Sequence, residues 1–201
     1  MIKLSNRRLL IESEKLFFKK EKLNYASNPA ALTITDSHLR IFFNSRDFQN
    51  RSKIYSIDLH GEELEPDYDS VSLQYSNGTQ GSYFSHGLSV GQIFSIDDKK
   101  SLSVMGWKNY VGKHWEGRIG YIPFDTEGNL TVLESRPWMD LDSLDPISLS
   151  YPALYKDNNS TVIWYGSTLT WDVGNGEMLH ILKEAKLLND GRVVKLSLIH
   201  I

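Results

Sequence analysis

Apolar and polar positions alternate along most of the chain in short runs separated by Asp, Asn, Ser and Gly, which predicts short antiparallel strands joined by tight turns. One run opens at Pro29-Ala30-Ala31-Leu32, turns at Asp36-Ser37 and returns as Leu39-Arg40-Ile41-Phe42-Phe43. The same pattern recurs at Pro152-Ala153-Leu154-Tyr155, with a turn at Asp157-Asn158-Asn159 and a return through Thr161-Val162-Ile163-Trp164-Tyr165. Between them, Val90-Gly91-Gln92-Ile93-Phe94 turns at Asp97-Asp98-Lys99-Lys100 and returns as Ser101 to Met105. The three strand starts define a repeat of about 60 residues.

Each unit continues with a third strand that ends at a glycine turn: Ile54 to Gly61, Ile119 to Gly128, and Ile181 to Gly191. A fourth strand is expected after each turn, as at Leu130-Thr131-Val132-Leu133-Glu134. Sequential four-stranded units predict an all-β fold of propeller type. Only Leu9 to Leu23 and Leu179 to Leu188 have helical spacing; the second falls where the repeat requires a strand and is read as one.

The expected organisation is a lead-in segment at 1–24 and a partial propeller at 25–195, with blades near 25–85, 86–146 and 147–195. Common propellers have four or more blades, so the chain reads as the first three blades of a C-terminally truncated one. Residues 196–201, Leu196-Ser197-Leu198-Ile199-His200-Ile201, resemble the translation of a sequencing-library adapter and are read as a non-native tail; an ordinary terminal strand is the alternative.

Composition changes this picture mainly by exclusion. The 201 residues are 40% apolar and 11% aromatic, enough to bury a core. With 22 basic and 25 acidic residues and no long block of one sign, no nucleic-acid footprint is expected. Without cysteine there is no disulfide, thiol nucleophile or thiolate metal site. Neither a signal-peptide core nor an apolar stretch of the roughly 20 residues needed to span a bilayer is present, so no membrane association and a cytoplasmic location are expected. The six His are scattered, with no HExxH, EF-hand, P-loop, GxGxxG or GxSxG signature, and neither a metal nor another cofactor is expected.

Several pieces together resemble the five-bladed propellers of glycoside hydrolase families 43, 32 and 130, and more closely a branch encoded among surface-polysaccharide genes. They are Ser27-Asn28-Pro29, Ser45-Arg46-Asp47 with Asn50 and Arg51, Ser85-His86-Gly87, Met105-Gly106-Trp107, and Ser150-Tyr151-Pro152 followed by Trp164-Tyr165-Gly166-Ser167. The resemblance covers about residues 25 to 191 and implies a central funnel lined by the first strand of each blade. It also implies a carbohydrate ligand acted on by two carboxyl groups roughly 5 to 10 Å apart. The sequence departs from that pattern at both positions. Asn28 stands where relatives of families 32 and 43 place an Asp, and Ser150-Tyr151-Pro152 stands where they place a Glu before Pro. Neither Asn nor Ser can serve as the carboxylate or carboxylic acid.

The remaining carboxylates to consider for catalysis are Asp47, Glu116 and Asp145, each with a structural alternative as an ion pair or turn former. Sugar recognition is assigned to Asn28, Arg46, Asn50, His86, Trp107, Ser150, Tyr165, Ser167 and Trp171. Arg46 offers a fork to a carboxylate, a phosphate or hydroxyls, and the aromatics offer stacking faces. The expected function is a glycosidase or glycan phosphorylase acting on bacterial surface-polysaccharide sugars. The alternatives are a non-catalytic glycan-binding propeller or a protein-interaction propeller with a filled funnel; protein partners are not specified by the sequence.

Overall fold

The computed structural model describes residues 8–96, 98–157, 160–172, 174–188 and 190–198. The segment with helical spacing near the N-terminus forms no α-helix. After a 3-10 turn at Ser13–Lys15 it makes a hairpin of β1 (Phe17–Phe18) and β2 (Glu21–Lys22). Lys19 and Lys20, at φ 49° and 69°, form its two-residue turn. Two successive positive φ values are what a primed hairpin turn requires. Leu16 and Leu23, which gave the segment its apolar period, flank the hairpin, and the Leu23 amide donates to the Leu16 carbonyl at 3.0 Å. Both are buried against Phe43, Tyr55, Ile57, Leu59 and Val71.

The first blade is an antiparallel sheet of β3 (Asn24–Thr35), β4 (His38–Arg46), β5 (Ser52–His60) and β6 (Glu65–Tyr75). The second contains β7 (Gly87–Ile96), β8 (Lys99–Lys108) and β9 (Glu116–Pro123). The third contains β10 (Ser148–Asp157), β11 (Ser160–Trp171), β12 (Met178–Leu187) and β13 (Val193–Leu198). The 179–188 segment is thus a strand, as the repeat required. Leu196 to Leu198 continue β13, whereas His200 lies outside the described residues.

The expected fourth strand of the second blade, Leu130 to Glu134, is not formed. Among the described residues, the outer edge of β9 carries only isolated bridges, Phe124 with Leu130 and Ile119 with Met139. The Pro123 carbonyl accepts from the Thr131 amide at 3.0 Å, but Pro123 has no N–H to give in return, and the ladder stops there.

All three first strands share one irregularity. The register of β3 on β4 slips between Ser27 and Ala30, that of β7 on β8 between Val90 and Ile93, and that of β10 on β11 between Ser150 and Ala153. In each, two residues oppose one on the partner strand: Asn28-Pro29 against Phe43, Gly91-Gln92 against Ser103, and Tyr151-Pro152 against Tyr165. The sequence repeat is therefore a repeated β-bulge, a device that re-aims side chains.

Apolar faces of adjacent blades pack on one another. Phe42 and Ile54 of the first blade meet Leu88, Val90, Leu102, Val104 and Ile122 of the second. Ile119 of the second meets Leu149, Leu154, Ile163 and Tyr165 of the third. Each fully buried large side chain contributes about 1.5–3 kcal/mol. Polar stitches fix the angle between the sheets. Asn44 Nδ2 donates to the Leu88 carbonyl at 2.8 Å, and its Oδ1 accepts from the Val90 amide at 2.7 Å. Gln92 does the same for Leu154, at 3.1 and 2.9 Å. A parallel bridge between Ser52 and Gly87 merges the first two blades into one seven-stranded sheet. Gly87 has φ 130°, and a Cβ there would lie 2.2 Å from the Ser52 carbonyl oxygen, so only glycine permits this approach.

Candidate functional site

At the end of the blades where β4 and β8 finish, Arg46, Asn50, Ser89, Met105, Trp107, Asn109, Trp115 and Tyr151 line a cleft of about 250 Å³. The cleft draws on all three blades. Arg46 is the last residue of β4, Trp107 lies near the end of β8, Trp115 precedes β9, and Tyr151 sits in the β10 bulge at φ 45°. The Arg46 guanidinium lies over the Trp107 ring at 5.8 Å, and its Nη1 donates to Asn50 Oδ1 at 2.9 Å. No carboxylate is among the lining residues.

Of the sequence-assigned recognition residues, Arg46, Asn50 and Trp107 come together here. His86 borders them, its ring 6.0 Å from that of Trp107 and its Nδ1 3.3 Å from Ser85 Oγ. Asn28 occupies the β3 bulge, exposed, with Nδ2 donating to Asn44 Oδ1 at 3.4 Å. Ser150, Tyr165 and Ser167 are completely buried. Ser150 Oγ lies 3.4 Å from His180 Nε2, and Tyr165 belongs to the core between the second and third blades. Trp171 lines a separate open groove with Met178 and Leu179. His114 links that groove to the cleft, its ring 4.7 Å from that of Trp115 and 4.8 Å from that of Trp171.

The three carboxylates lie elsewhere and are all held in ion pairs. Asp47 closes the loop after Arg46. Its Oδ1 accepts from the amides of Gln49 and Arg51 at 3.0 and 2.9 Å, and its Oδ2 accepts from Arg51 Nε at 2.9 Å. Burial pushes its pKa up, but these bonds and the charges of Arg51 and Lys53 hold it below the ordinary value. Glu116 pairs with Arg118 and, at 3.0 Å, with Lys108; these outweigh its burial and lower its pKa. Asp145 is fully buried, with Lys183 Nζ 3.0 Å from Oδ1 and Lys195 Nζ 2.8 Å from Oδ2; Oδ2 also accepts from the Tyr165 hydroxyl at 3.2 Å. Burial opposes its ionisation, but the two lysines win and its pKa is lowered. His180, by contrast, is pushed down by burial and by the neighbouring His114, which favours the neutral imidazole.

Sequence reasoning missed Ser89, Met105, Asn109, Trp115 and Tyr151. The repeat held a usable signal for Tyr151, which stands at the bulge position that Asn28 occupies in the first blade. Asn109 and Trp115 flank a loop without strand periodicity, and nothing in the pattern marks them.

The blades have the fold of the five-bladed β-propeller glycoside hydrolases. A sucrose-6-phosphate hydrolase from Lactobacillus gasseri superposes with a TM-score of 0.62 at 10% identity, over 85% of this chain and 33% of that one. A levansucrase mutant of B. megaterium gives 0.59 at 10% identity, over 86% and 55%. A thermostable family-43 glycoside hydrolase gives 0.53 at 12%, over 86% and 54%. No family model matches the sequence. Uncharacterized proteins of Mycobacterium tuberculosis, from strains CDC 1551 / Oshkosh and ATCC 25618 / H37Rv, are 30% identical over 195 residues. That alignment covers 93% of this chain, which spans 64% of the length of these relatives. Among the described residues, no helix is long and apolar enough to cross a membrane.

Proposed function

We propose that this chain supplies the sugar-binding wall of a carbohydrate-active propeller, and that the cleft at Arg46 takes a glycan bearing an anionic group. The supporting observation is the lining itself: a guanidinium on a tryptophan face, two more aromatic rings and two amides, with no carboxylate among them. Aromatic faces suit the apolar faces of sugar rings, amides suit hydroxyls, and an arginine with donors to spare suits a carboxylate or phosphate. Asn28 and His86 extend this wall. Buried Ser150, Tyr165 and Ser167 support it from behind, and Trp171 offers a further platform beyond His114.

Glycan binding without chemistry by these blades is the reading this lining favours, and Asp47, Glu116 and Asp145 then act as structural ion-pair centres. The hydrolase fold favours a second reading, in which the whole protein is a glycosidase or glycan phosphorylase of surface-polysaccharide sugars. A phosphorylase would use inorganic phosphate in place of the attacking water, with Arg46 as its anion contact. The two readings separate on one experiment. Reducing-sugar release from acidic and neutral bacterial glycans is measured with and without phosphate, beside calorimetric binding of the same glycans, for the wild type, Arg46→Gln and Asp47→Asn. Binding of acidic glycans that Arg46→Gln weakens, without turnover, supports the first reading. Turnover abolished by Asp47→Asn supports the second, and loss of neither binding nor turnover in Arg46→Gln overturns the placement of the site.

A further inference from the structure

The opposite end of the first blade holds a cluster that this function does not use. His38 opens β4 and His60 closes β5; they are register partners, with ring centroids 4.4 Å apart. The next pair on the same face is Arg40 with Asp58, because side chains on a strand alternate with period two. His38 Nε2 lies 3.4 Å from Asp58 Oδ1, yet it is buried and makes no well-aligned hydrogen bond to any described residue. One ligand atom from each of His38, Asp58 and His60 can be chosen so that all three lie within 4.8 Å of one another.

We propose that His38, Asp58 and His60 form a binding site for a divalent transition-metal ion, with zinc the best chemical match. Two imidazole nitrogens and one carboxylate oxygen suit Zn²⁺ and its neighbours, whereas Ca²⁺ and Mg²⁺ take shells of oxygen. The ligands stand on adjacent rungs of one paired ladder, so the backbone is already ordered and side-chain rotation alone draws the donors together. Zinc bonds of about 2.0–2.2 Å leave room for a water in the fourth position, reached from the exposed His60 side.

Arg40 is the outer partner of this site. Its Nε donates to Asp58 Oδ1 at 2.7 Å and its Nη2 to Oδ2 at 3.0 Å, fixing the carboxylate plane while each oxygen keeps a second lone pair. The guanidinium charge also repels a cation, so the affinity falls below that of structural zinc sites.

The test uses metal-stripped protein titrated with zinc chloride against a chromophoric chelator, together with the visible spectrum of the cobalt form. One ion per chain is expected, with a tetrahedral cobalt band. His38→Gln and His60→Gln should each weaken binding by about tenfold or more. The His114→Gln, His180→Gln double variant removes a pair of histidines that neighbour each other away from this site, beside Trp171 and Thr168, and should bind zinc as the wild type does. Metal-free melting curves of all variants check that the fold survives. Absence of saturable zinc binding overturns the proposal, as does affinity unchanged in both His38→Gln and His60→Gln.

Discussion

Two arginines on the same strand, six residues apart, are spent in opposite ways. Arg40 exhausts its fork on the protein: both Asp58 oxygens, Asn129 Oδ1 at 2.6 Å and the carbonyls of Glu127 and Gly128. It thereby ties the first blade to the turn after β9. Arg46 has the Trp107 face and one amide oxygen, and its remaining donors open onto the cleft. A guanidinium surrounded by carboxylates and carbonyls is a clamp, whereas one resting on an aromatic ring with few acceptors is a receptor. Residue type does not separate the two; the acceptors that the fold brings near each one do.

The sharpest way to break this comparison is to remove each arginine in turn. Arg40→Met should cost about 2–4 kcal/mol in urea-unfolding free energy, since it leaves a mostly buried Asp58 and several carbonyls without their donor. An Arg40→Met protein as stable as the wild type would remove the distinction. A lysine-based clamp extends it: the folded-state pKa of Asp145 lies below the ordinary 3.8. The stability Asp145 contributes is therefore complete above pH 3.8 and is lost as pH falls through the lower folded-state value. In acid titrations followed by circular dichroism, Asp145→Asn should be less stable at neutral pH and should show a flatter acid limb.

Arg46→Gln should lower affinity for an acidic glycan by about tenfold, roughly 1.4 kcal/mol, read by calorimetry. The smallest effects are expected in the remaining pair of measurements. Arg46→Met should change unfolding free energy by no more than about 0.5 kcal/mol, as for a surface position. Arg46→Lys should restore only part of the affinity, because a point charge replaces a planar fork. If Lys restores it fully, the cleft reads charge alone.

The fold was legible where the physics is local. The turn at Asp36-Ser37 and the glycine turns at Gly61, Gly128 and Gly191 follow from turn chemistry and alternation, and these carried the blade count; Pro29 and Pro152, read as strand starts, lie instead inside β3 and β10, because pairing continues past their bulges back to Asn24 and Ser148. The hairpin at 17–22 was obscured because Leu16 and Leu23 satisfy a helical period while facing one core across a turn. The missing fourth strand was obscured because a single proline on the neighbouring strand withholds the next donor. At the site, Arg46, Asn50 and Trp107 could be read because they stand at strand ends or in the tight turn that follows one. Trp115 and Asn109 could not, since their place depends on how a loop folds back. His38, Asp58 and His60 form no linear motif; only the register of β4 on β5 makes them neighbours.

The three repeated bulges bear on how such a wall can diversify. A bulge exempts its extra residue from cross-strand pairing, which leaves latitude in what that residue is wherever its backbone angle and the space beside it allow a side chain. The chain already shows this latitude, with Asn28, Gly91 and Tyr151 at the same position of successive blades. Ligand preference and scaffold integrity are thereby written at separate addresses in the first and third blades, where Asn28 and Tyr151 can serve as tuning positions while the paired residues on either side keep the sheets in register; in the second blade the position is held to glycine, since a Cβ on Gly91 would lie 2.8 Å from the Ser103 carbonyl oxygen.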